Sequence, residues 1–532
     1  FLAQLLALLR DRLFAYFFGA GNVIDVYYAA FRIPDFIFVS IATTVSISVL
    51  VPFFIEKMER NKEEGRAFID HTFSVFFFAI VVVSIIAFFL MPWLTPIVLP
   101  GFANDPALPQ LVTLSRILLL SPLLLGFSNF LASITQIHNR FLLYALSPVL
   151  YNLGIVFGII VLYPTMGLYG LGWGVIIGAA LHLCIQIPYI VSQKLFPRVL
   201  LSIDFKAIRQ VVLTSLPRTL TLSSNQIALF FLTASASLMA SGSIAIFNFS
   251  NNLQSVPLSI IGVSYASAAF PTLSRLFSTG DMKRFVEQMV ASTKHIIFWS
   301  MPVMVLFIVL RAQIVRTVLG TGHFDWSDTR LTAAALAIFT LSIIPQSLIT
   351  LFVRAFYSGC KTLKPLLINL FSSGLIVVFA FGLVWAFEHW SAFRLFFETL
   401  FKVEGLTGTS VLMLALAYSL GVFVNTIAHW QAFHKEFSEF SRPVFRTLFQ
   451  TFSASVLMGF VTYRCLGIFD HVFRVDTVFG IFMQGFCSGI IGIIFCLLVL
   501  KALKSEELEQ VWRTLHTKIW KADVLVPEPE QL

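Results

Sequence analysis

The sequence predicts an all-α polytopic membrane protein with about 14 transmembrane helices, and three observations carry that reading. Of 532 residues, 58% are hydrophobic and only 12% are charged, a balance that a water-soluble chain of this length does not need. The apolar residues, 58 phenylalanines among them, fall in continuous runs that reach the roughly 20 residues of a spanning helix. The runs do not alternate in character, which excludes a transmembrane β-barrel.

The apolar segments lie at 1–19, 24–56, 69–99, 109–136, 142–163, 167–191, 211–240, 243–274, 288–319, 330–357, 365–387, 407–433, 445–465 and 478–502. Several exceed the minimum length, so tilt or interfacial extension is expected. The chain opens at Phe1, already inside an apolar run. A short N-terminal piece, including part of the first helix, is therefore expected to precede it, and no cleavable signal peptide is visible. After the last segment, Lys504–Lys521 reads as a short amphipathic helix, and the final VPEPEQL as disordered.

Loop charges set an orientation. The loops after segments 2, 4, 6, 8, 10 and 12 hold nearly all the basic residues, including Lys57, Arg60, Lys62 and Arg66, then Arg140, then Lys194 and Arg198. The loops after segments 1, 3, 5 and 7 hold none. By the positive-inside rule both termini are cytoplasmic. The same rule accounts for the net charge of +9 without nucleic acid as a partner. Arg394, Lys402, Arg464 and Arg474 make the later outer loops weaker witnesses.

The chain repeats itself. GAGNVIDVYYAAFRIP is similar to ASGSIAIFNFSNNLQSVP, aligning Gly21 with Gly242 and Pro34 with Pro257. Pro52 then aligns with Pro271, Pro122 with Pro345, and Asn152 with Asn369. Six helices per copy, an even number, give a parallel repeat, with two lobes around a central cavity. The expected division is an N-terminal lobe at 1–205, a C-terminal lobe at 206–440, two extra helices at 441–503 and a cytoplasmic tail at 504–532.

Function is sought in the stretch RDRLFAYFFGAGNVIDVYYAAFRIP, Arg10 to Pro34, which carries three arginines and two aspartates in apolar surroundings. Gly19-Ala20-Gly21-Asn22 is a turn signal, so two antiparallel helices meet there. At 1.5 Å per residue, Arg10 and Arg32 lie roughly 13 and 15 Å below the turn, near the middle of a core about 30 Å thick. A charge at that depth costs at least about 2.5–3.5 kcal/mol and faces a cavity or a partner. Asp11 is adjacent to Arg10 and is expected to face elsewhere on the helix, a poor partner for it. Arg10 and Arg32 are thus expected to face a hydrated cavity and meet an anion, carboxylate pairing being the alternative. Arg12 and Asp11 read as packing or gating charges.

In the second repeat, Asn251, Asn252 and Gln254 either bond sugar and peptide groups or glue helices together. Arg218 either guides a phosphate into the cytoplasmic mouth or snorkels to the interface. Arg116 and His182 read as interface or packing residues. The five cysteines are expected as small buried hydrophobes. There is no metal-ligand spacing, no nucleotide-binding glycine loop and no pair of intramembrane carboxylates arranged for a sodium or proton site. The chain is therefore read as a transporter rather than an enzyme, with no cofactor; any coupling ion is left open.

These residues also resemble a known family. LLRDRLFAYFFGAGNVIDVYYAAFRIPD followed by SVLVPFFIEK is similar to the opening of the MurJ/MviN lipid II flippases, of the multidrug/oligosaccharidyl-lipid/polysaccharide exporter superfamily. QIHNRFLLYALSPVLYN, the ASGS…STGD stretch and RAFYSGCKTLKP extend the resemblance over nearly the whole chain. It implies two six-helix lobes around a cavity, with two extra helices forming a hydrophobic groove. It also implies flipping of undecaprenyl-pyrophosphate-linked disaccharide-pentapeptide from the cytoplasmic to the outer leaflet. By position, Arg10 and Asp25 match cavity residues, and Arg32 stands where a lysine is usual. Gln4, Phe38 and Asn252 stand where the family has further arginines, and Thr44 and Ser255 where it has acids.

The expectation is a lipid II flippase of the bacterial cytoplasmic membrane, working by alternating access with help from the membrane potential. Arg10, Asp25, Arg32, Arg218 and Asn252 would meet substrate, and Gly19, Gly21, Pro34 and Gly242 would permit bends. Two rival readings stand beside it. One is an exporter of another polyprenyl-linked glycan or of drugs; the other is a scaffold that docks cell-wall synthesis proteins on its basic loops.

Overall fold

The computed structural model describes residues 2–42, 61–137, 141–201, 205–359, 361–474 and 476–520, and every regular element among them is helical. The chain opens with α1 (Leu2–Phe18), α2 (Asn22–Ala30), α3 (Arg32–Ala42), α4 (Lys62–Val98), α5 (Leu108–Leu118), α6 (Leu120–Ile137), α7 (Phe141–Phe157) and α8 (Leu168–Cys184). It continues through α9 (Ile187–Ser192), α10 (Phe205–Ser237), α11 (Ser243–Pro257), α12 (Ser264–Ser278), α13 (Met282–Val309), α14 (Arg311–Val318), α15 (Trp326–Thr340) and α16 (Ile343–Ser358). The last elements are α17 (Leu363–His389), α18 (Ser391–Phe401), α19 (Val411–Glu436), α20 (Ser441–Phe469), α21 (Val478–Ala502) and α22 (Glu506–Trp520).

Among the described residues, 10 helices are long and apolar enough to cross a membrane, or 11 spans when the bent pair α15–α16 counts as one. Three expected segments fall outside that set. Segment 1–19 is α1, of 17 residues. Segment 24–56 breaks at Phe31 into α2 and α3 and runs into residues 43–60, outside the described residues with Thr44 and Pro52. Segment 211–240 lies in α10, several of whose side chains, Arg218 included, are outside the described residues.

Proline explains where the path changes. Pro34 has no N–H for the Ala30 carbonyl, and Pro345 none for that of Leu341. The chain accordingly breaks between α2 and α3 and bends by 41° between α15 and α16. Pro257, aligned with Pro34, ends α11, and a wide turn follows at Leu258–Val263.

Glycine explains where helices touch. A Cβ on Gly154 would stand 2.2 Å from the Gly178 Cα, and one on Gly174 2.5 Å from the Gly158 Cα. The α7 and α8 backbones are thus in direct contact, as small-residue spacing permits in lipid. Gly178→Leu is expected to destabilise the protein by at least about 1–3 kcal/mol through overpacking, read as a lower midpoint of thermal unfolding.

The largest apolar cluster joins Phe14, Tyr27 and Leu111 of the first half to Phe247, Phe339 and Leu414 of the second. The last two long helices, α20 and α21, pack on each other and along α13 and α14. Between α13, α14 and α21 runs an apolar groove of about 360 Å³ lined by Leu306, Leu310, Ile314, Phe482, Phe486 and Ile490. The expected loop between α17 and α19 holds the helix α18.

The tail forms the expected helix, α22, and it is docked. Leu508 and Val511 pack on a cluster containing Phe298, Met458 and Leu500. Lys294 lies 3.4 Å from Glu506 and 3.6 Å from Glu507, and Arg446 3.2 Å from Glu506. Burial pushes the Glu507 carboxyl up, but hydroxyl donation by Thr447 at 2.6 Å and by Ser505 at 2.9 Å, with a backbone N–H and the Lys294 charge, outweighs it. The net result lies below the ordinary value of 4.5. A depressed carboxyl stabilises docking above its unfolded value and loses that contribution as pH falls through the folded one. Hydrogen exchange over α22, corrected for intrinsic rates, is expected to quicken below pH 4.5 in the parent. Glu507→Gln should show no such step.

The cysteine expectation is corrected. Cys496 is buried, but Cys465 and Cys487 are half-buried and Cys184 is exposed. A small thiol is as acceptable to lipid as to a core. Cys360 lies outside the described residues.

Candidate functional site

The two cations expected in the membrane interior are both linked to α11, the helix that follows Gly242, Arg32 directly and Arg10 through Asp11. In α1, the Arg10 Nη2 and Nε donate to Asp11 Oδ1 at 2.7 and 2.9 Å, and Nη1 donates to Asn152 Oδ1 at 3.2 Å. The other Asp11 oxygen accepts from Asn252 Nδ2 at 3.1 Å. In α3, Arg32 Nη2 donates to Asn248 Oδ1 at 2.8 Å, while its buried Nε has no partner among the described residues. Asn248 and Asn252 are four residues apart, so one face of α11 receives both contacts.

This corrects the expectation for Asp11. Neighbours on a helix project about 100° apart, but the Arg10 side chain is long enough to fold back along its own helix. Asp11, 3% exposed against 19% for Arg10, becomes the bridge between Arg10 and Asn252. Arg12 acts as packing: its Nη1 donates at 2.7 Å to the Thr317 carbonyl in the last turn of α14, where a cation complements the helix dipole.

Asn252 thus ties helices together, and Ser255 donates to the Asn252 carbonyl at 2.7 Å. Gln254 Nε2 donates to Asn251 Oδ1 at 3.4 Å, and its Oε1 is buried without a partner among the described residues. Phe38 packs on the cluster of Phe76 and Ile80. His182 is a packing residue, its Nδ1 2.7 Å from the Ser128 hydroxyl.

Asp25 is engaged differently from the expected substrate contact. Its Oδ2 accepts from the Gly242 N–H at 2.6 Å and its Oδ1 from the Ala245 N–H at 2.7 Å. A carboxylate of the first half therefore caps α11, whose own N-cap, Gly242, offers no side chain. The opposite contact is also made: Asp328 Oδ2, in the first turn of α15, accepts from the Ala20 N–H at 3.1 Å. Beside it the His323 N–H donates to the Tyr16 carbonyl at 3.1 Å.

The turn glycines serve this clasp unequally. Gly242 has φ +90°, and a Cβ there would stand 2.1 Å from the Ala20 oxygen. Gly19 has φ +61°, and its Cβ would meet the His323 oxygen at 2.6 Å. Gly21 is at φ −122°, and a Cβ there would meet only the Phe18 oxygen at 3.5 Å, an ordinary contact. Gly19 and Gly242 are thus positions of close approach, which the bend expectation did not anticipate, and Gly21 shows neither close approach nor positive φ.

Sequence reasoning missed Asn248 and the role of Asp11. The four-residue spacing of Asn248 and Asn252 was the available signal. Asn152 was visible only as a repeat position.

Fold and site together define a helical multi-pass membrane protein of the transporter type, with two arginines in apolar helices linked to α11 and a carboxylate-capped clasp between the two halves of the chain. The profile of the family described as "Lipid II flippase MurJ" matches residues 14–483, and the chain belongs to that family. It is 26% identical over 511 residues to the probable lipid II flippase MurJ of Buchnera aphidicola subsp. Schizaphis graminum, covering 93% of each chain. To the lipid II flippase MurJ of Burkholderia cenocepacia it is 24% identical over 385 residues, 71% of this chain and 74% of the other. Its fold is similar to a solved structure titled as lipid II flippase MurJ in an inward closed conformation, with TM-score 0.74, 21% identity and coverage of 96% and 98%. It is also similar to an inward-facing multidrug resistance MATE family transporter of the MOP superfamily, with TM-score 0.65, 14% identity and coverage of 83% and 95%.

Proposed function

We propose that this chain is a lipid II flippase. It moves undecaprenyl-pyrophosphate-linked disaccharide-pentapeptide from the cytoplasmic to the outer leaflet of the bacterial cytoplasmic membrane, with both chain termini cytoplasmic. The observation that carries the reading is the pair Arg10 and Arg32, linked to one face of α11 directly by Arg32 and through Asp11 by Arg10, in a chain that matches the family over residues 14–483.

The physical need is clear. A sugar-peptide head group taken through hydrocarbon loses its hydrogen bonds to water at several kcal/mol for each unsatisfied group. A polar cavity between an N-terminal lobe (1–205) and a C-terminal lobe (206–440) replaces that water. Arg10 and Arg32 meet the pyrophosphate by charge-assisted contacts, Asn252 bonds sugar or peptide groups, and Arg218 guides the phosphate into the cytoplasmic mouth. The groove that α21 forms with α13 and α14 belongs to the two-helix unit 441–503 and takes the isoprenoid tail. The tail 504–532 stays cytoplasmic.

The clasp of Asp25 on α11 and of Asp328 on Ala20 is the outer gate. Alternating access then requires these bonds to break while the lobes rock. An inside-negative potential favours anion export by about 2.3 kcal/mol per charge per 100 mV if the full field is crossed.

The test is rescue of a bacterium depleted of its lipid II flippase, with the parent, Arg10→Gln combined with Asp11→Asn, and Arg32→Ala at matched membrane levels. Rescue by the parent and failure of both variants is expected. A well-inserted parent that fails points to another polyprenyl-linked glycan; rescue by all three removes the arginines from the mechanism and leaves the flippase assignment standing.

A further inference from the structure

Away from the central contacts, a groove of about 740 Å³ opens between α4, α5, the start of α6, and α8. Ile85, Phe88, Ile117, Leu120 and Trp173 line it; Ile85, Phe88, Leu120 and Trp173 also count among the exposed large hydrophobics, as lipid-facing side chains do. Arg116 is the cation in the lining, and no carboxylate accompanies it among the lining residues.

The placement of Arg116 has a covalent origin. Pro92 has no N–H, so the Phe88 carbonyl, four residues earlier in α4, loses its helical donor. The Arg116 Nε supplies one at 3.0 Å, and the guanidinium lies 4.8 Å from the centre of the Phe88 ring. Those two contacts fix the plane of the guanidinium. Its two terminal nitrogens have no protein partner among the described residues.

Trp173 in the groove and Trp93, 65% exposed on α4, mark an interfacial belt. They lie toward loop 99–107, which carries no lysine or arginine. A cation held there, facing lipid, calls for an anion within reach.

We propose that this groove binds an anionic glycerophospholipid of the leaflet on the loop 99–107 side. The phosphate rests on the terminal N–H groups of Arg116. An acyl chain lies along Ile85, Phe88, Ile117 and Leu120. A net-anionic headgroup is selected over a zwitterionic one because the lining supplies a positive charge and nothing to receive an ammonium. The site is separate from the contacts of α11, so its occupancy does not depend on what the protein transports.

Native mass spectrometry of the full chain in detergent, titrated with phosphatidylglycerol or with phosphatidylcholine of the same acyl chains, tests this. The parent is expected to bind the first phosphatidylglycerol about tenfold tighter, the scale of one charge-assisted contact. Arg116→Gln should erase that preference. Leu120→Trp, which fills the groove from an exposed position and leaves the cation in place, should weaken the binding of both lipids. A thermal unfolding midpoint for each variant establishes that it is folded. The proposal is overturned if Arg116→Gln keeps the preference, if the parent binds both lipids alike, or if Leu120→Trp changes nothing. It is also overturned if a polyprenyl pyrophosphate, rather than phosphatidylglycerol, is the lipid whose binding depends on Arg116.

Discussion

Arg32→Met combined with Asp35→Asn is expected to abolish rescue of a flippase-depleted cell while leaving the purified protein at least as heat-stable as the parent. Arg32 makes one hydrogen bond, to Asn248 at 2.8 Å, and its Nε is buried without a partner among the described residues. Its opposite charge is the Asp35 carboxylate, three residues on, and a buried pair carries a desolvation penalty of several kcal/mol per ion. The double change removes both charges and methionine fills much of the volume; the Asn248 oxygen then lacks a donor, at about 1–3 kcal/mol, which is the smaller term. Stability and function should therefore move apart, as they do where a residue is kept for a ligand. Arg10 needs the same design. Its loss leaves Asp11, 3% exposed, as an uncompensated charge, at about 3–5 kcal/mol, so Arg10→Ala mixes folding with function. Arg10→Gln combined with Asp11→Asn neutralises the pair together and should fold. It should still fail to rescue. A folded double variant that rescues would make the Arg10–Asp11 pair structural.

Fold class was legible because lipid imposes one rule on every segment: the backbone must satisfy itself, so apolar runs of spanning length are helices. The bend at Pro34 was legible, because proline removes a donor; the same rule applies at Pro345, but segment 330–357 was expected as one run and Pro345 only as a repeat position. The central cations were legible because charge in an apolar run has no bland explanation. What escaped was relational. Nothing in the order Arg10-Asp11 shows that a long side chain folds back on its neighbour, or that Asp11 then reaches Asn252, 241 positions away. The cap that Asp25 places on α11 joins residues 217 and 220 positions apart, and no periodicity reports such a contact. The repeat came nearest. Aligning Gly21 with Gly242 pairs two turns that do meet in space, although Gly242 and Gly19, rather than Gly21, are the glycines at close approach.

That clasp gives the second large expected effect. In the proposed cycle the outer gate must open, and its strongest contacts are the two N–H donors of α11 on one Asp25 carboxylate, at 2.6 and 2.7 Å. Asparagine presents only one acceptor oxygen and no charge. It gives up a charged hydrogen bond, about 1.5–3 kcal/mol, and a dipole contact of about 0.3–1 kcal/mol. Gly242→Ala acts on the same closure sterically, since its Cβ would stand 2.1 Å from a backbone oxygen, at a φ of +90° that alanine disfavours. Both changes act on the closed state, so both should favour opening. In a background without the native cysteines, a cysteine at Tyr28, below the clasp, reports the state through an impermeant thiol reagent added outside. Labelling is expected to rise at least about tenfold in Asp25→Asn, the change that about 1.4 kcal/mol produces. Gly242→Ala should raise it in the same direction, and the two together should do less than their sum because they weaken one contact. Unchanged labelling in both variants would mean that the clasp holds α11 in place without gating the path, and the gate would then have to be sought at Asp328 and Ala20.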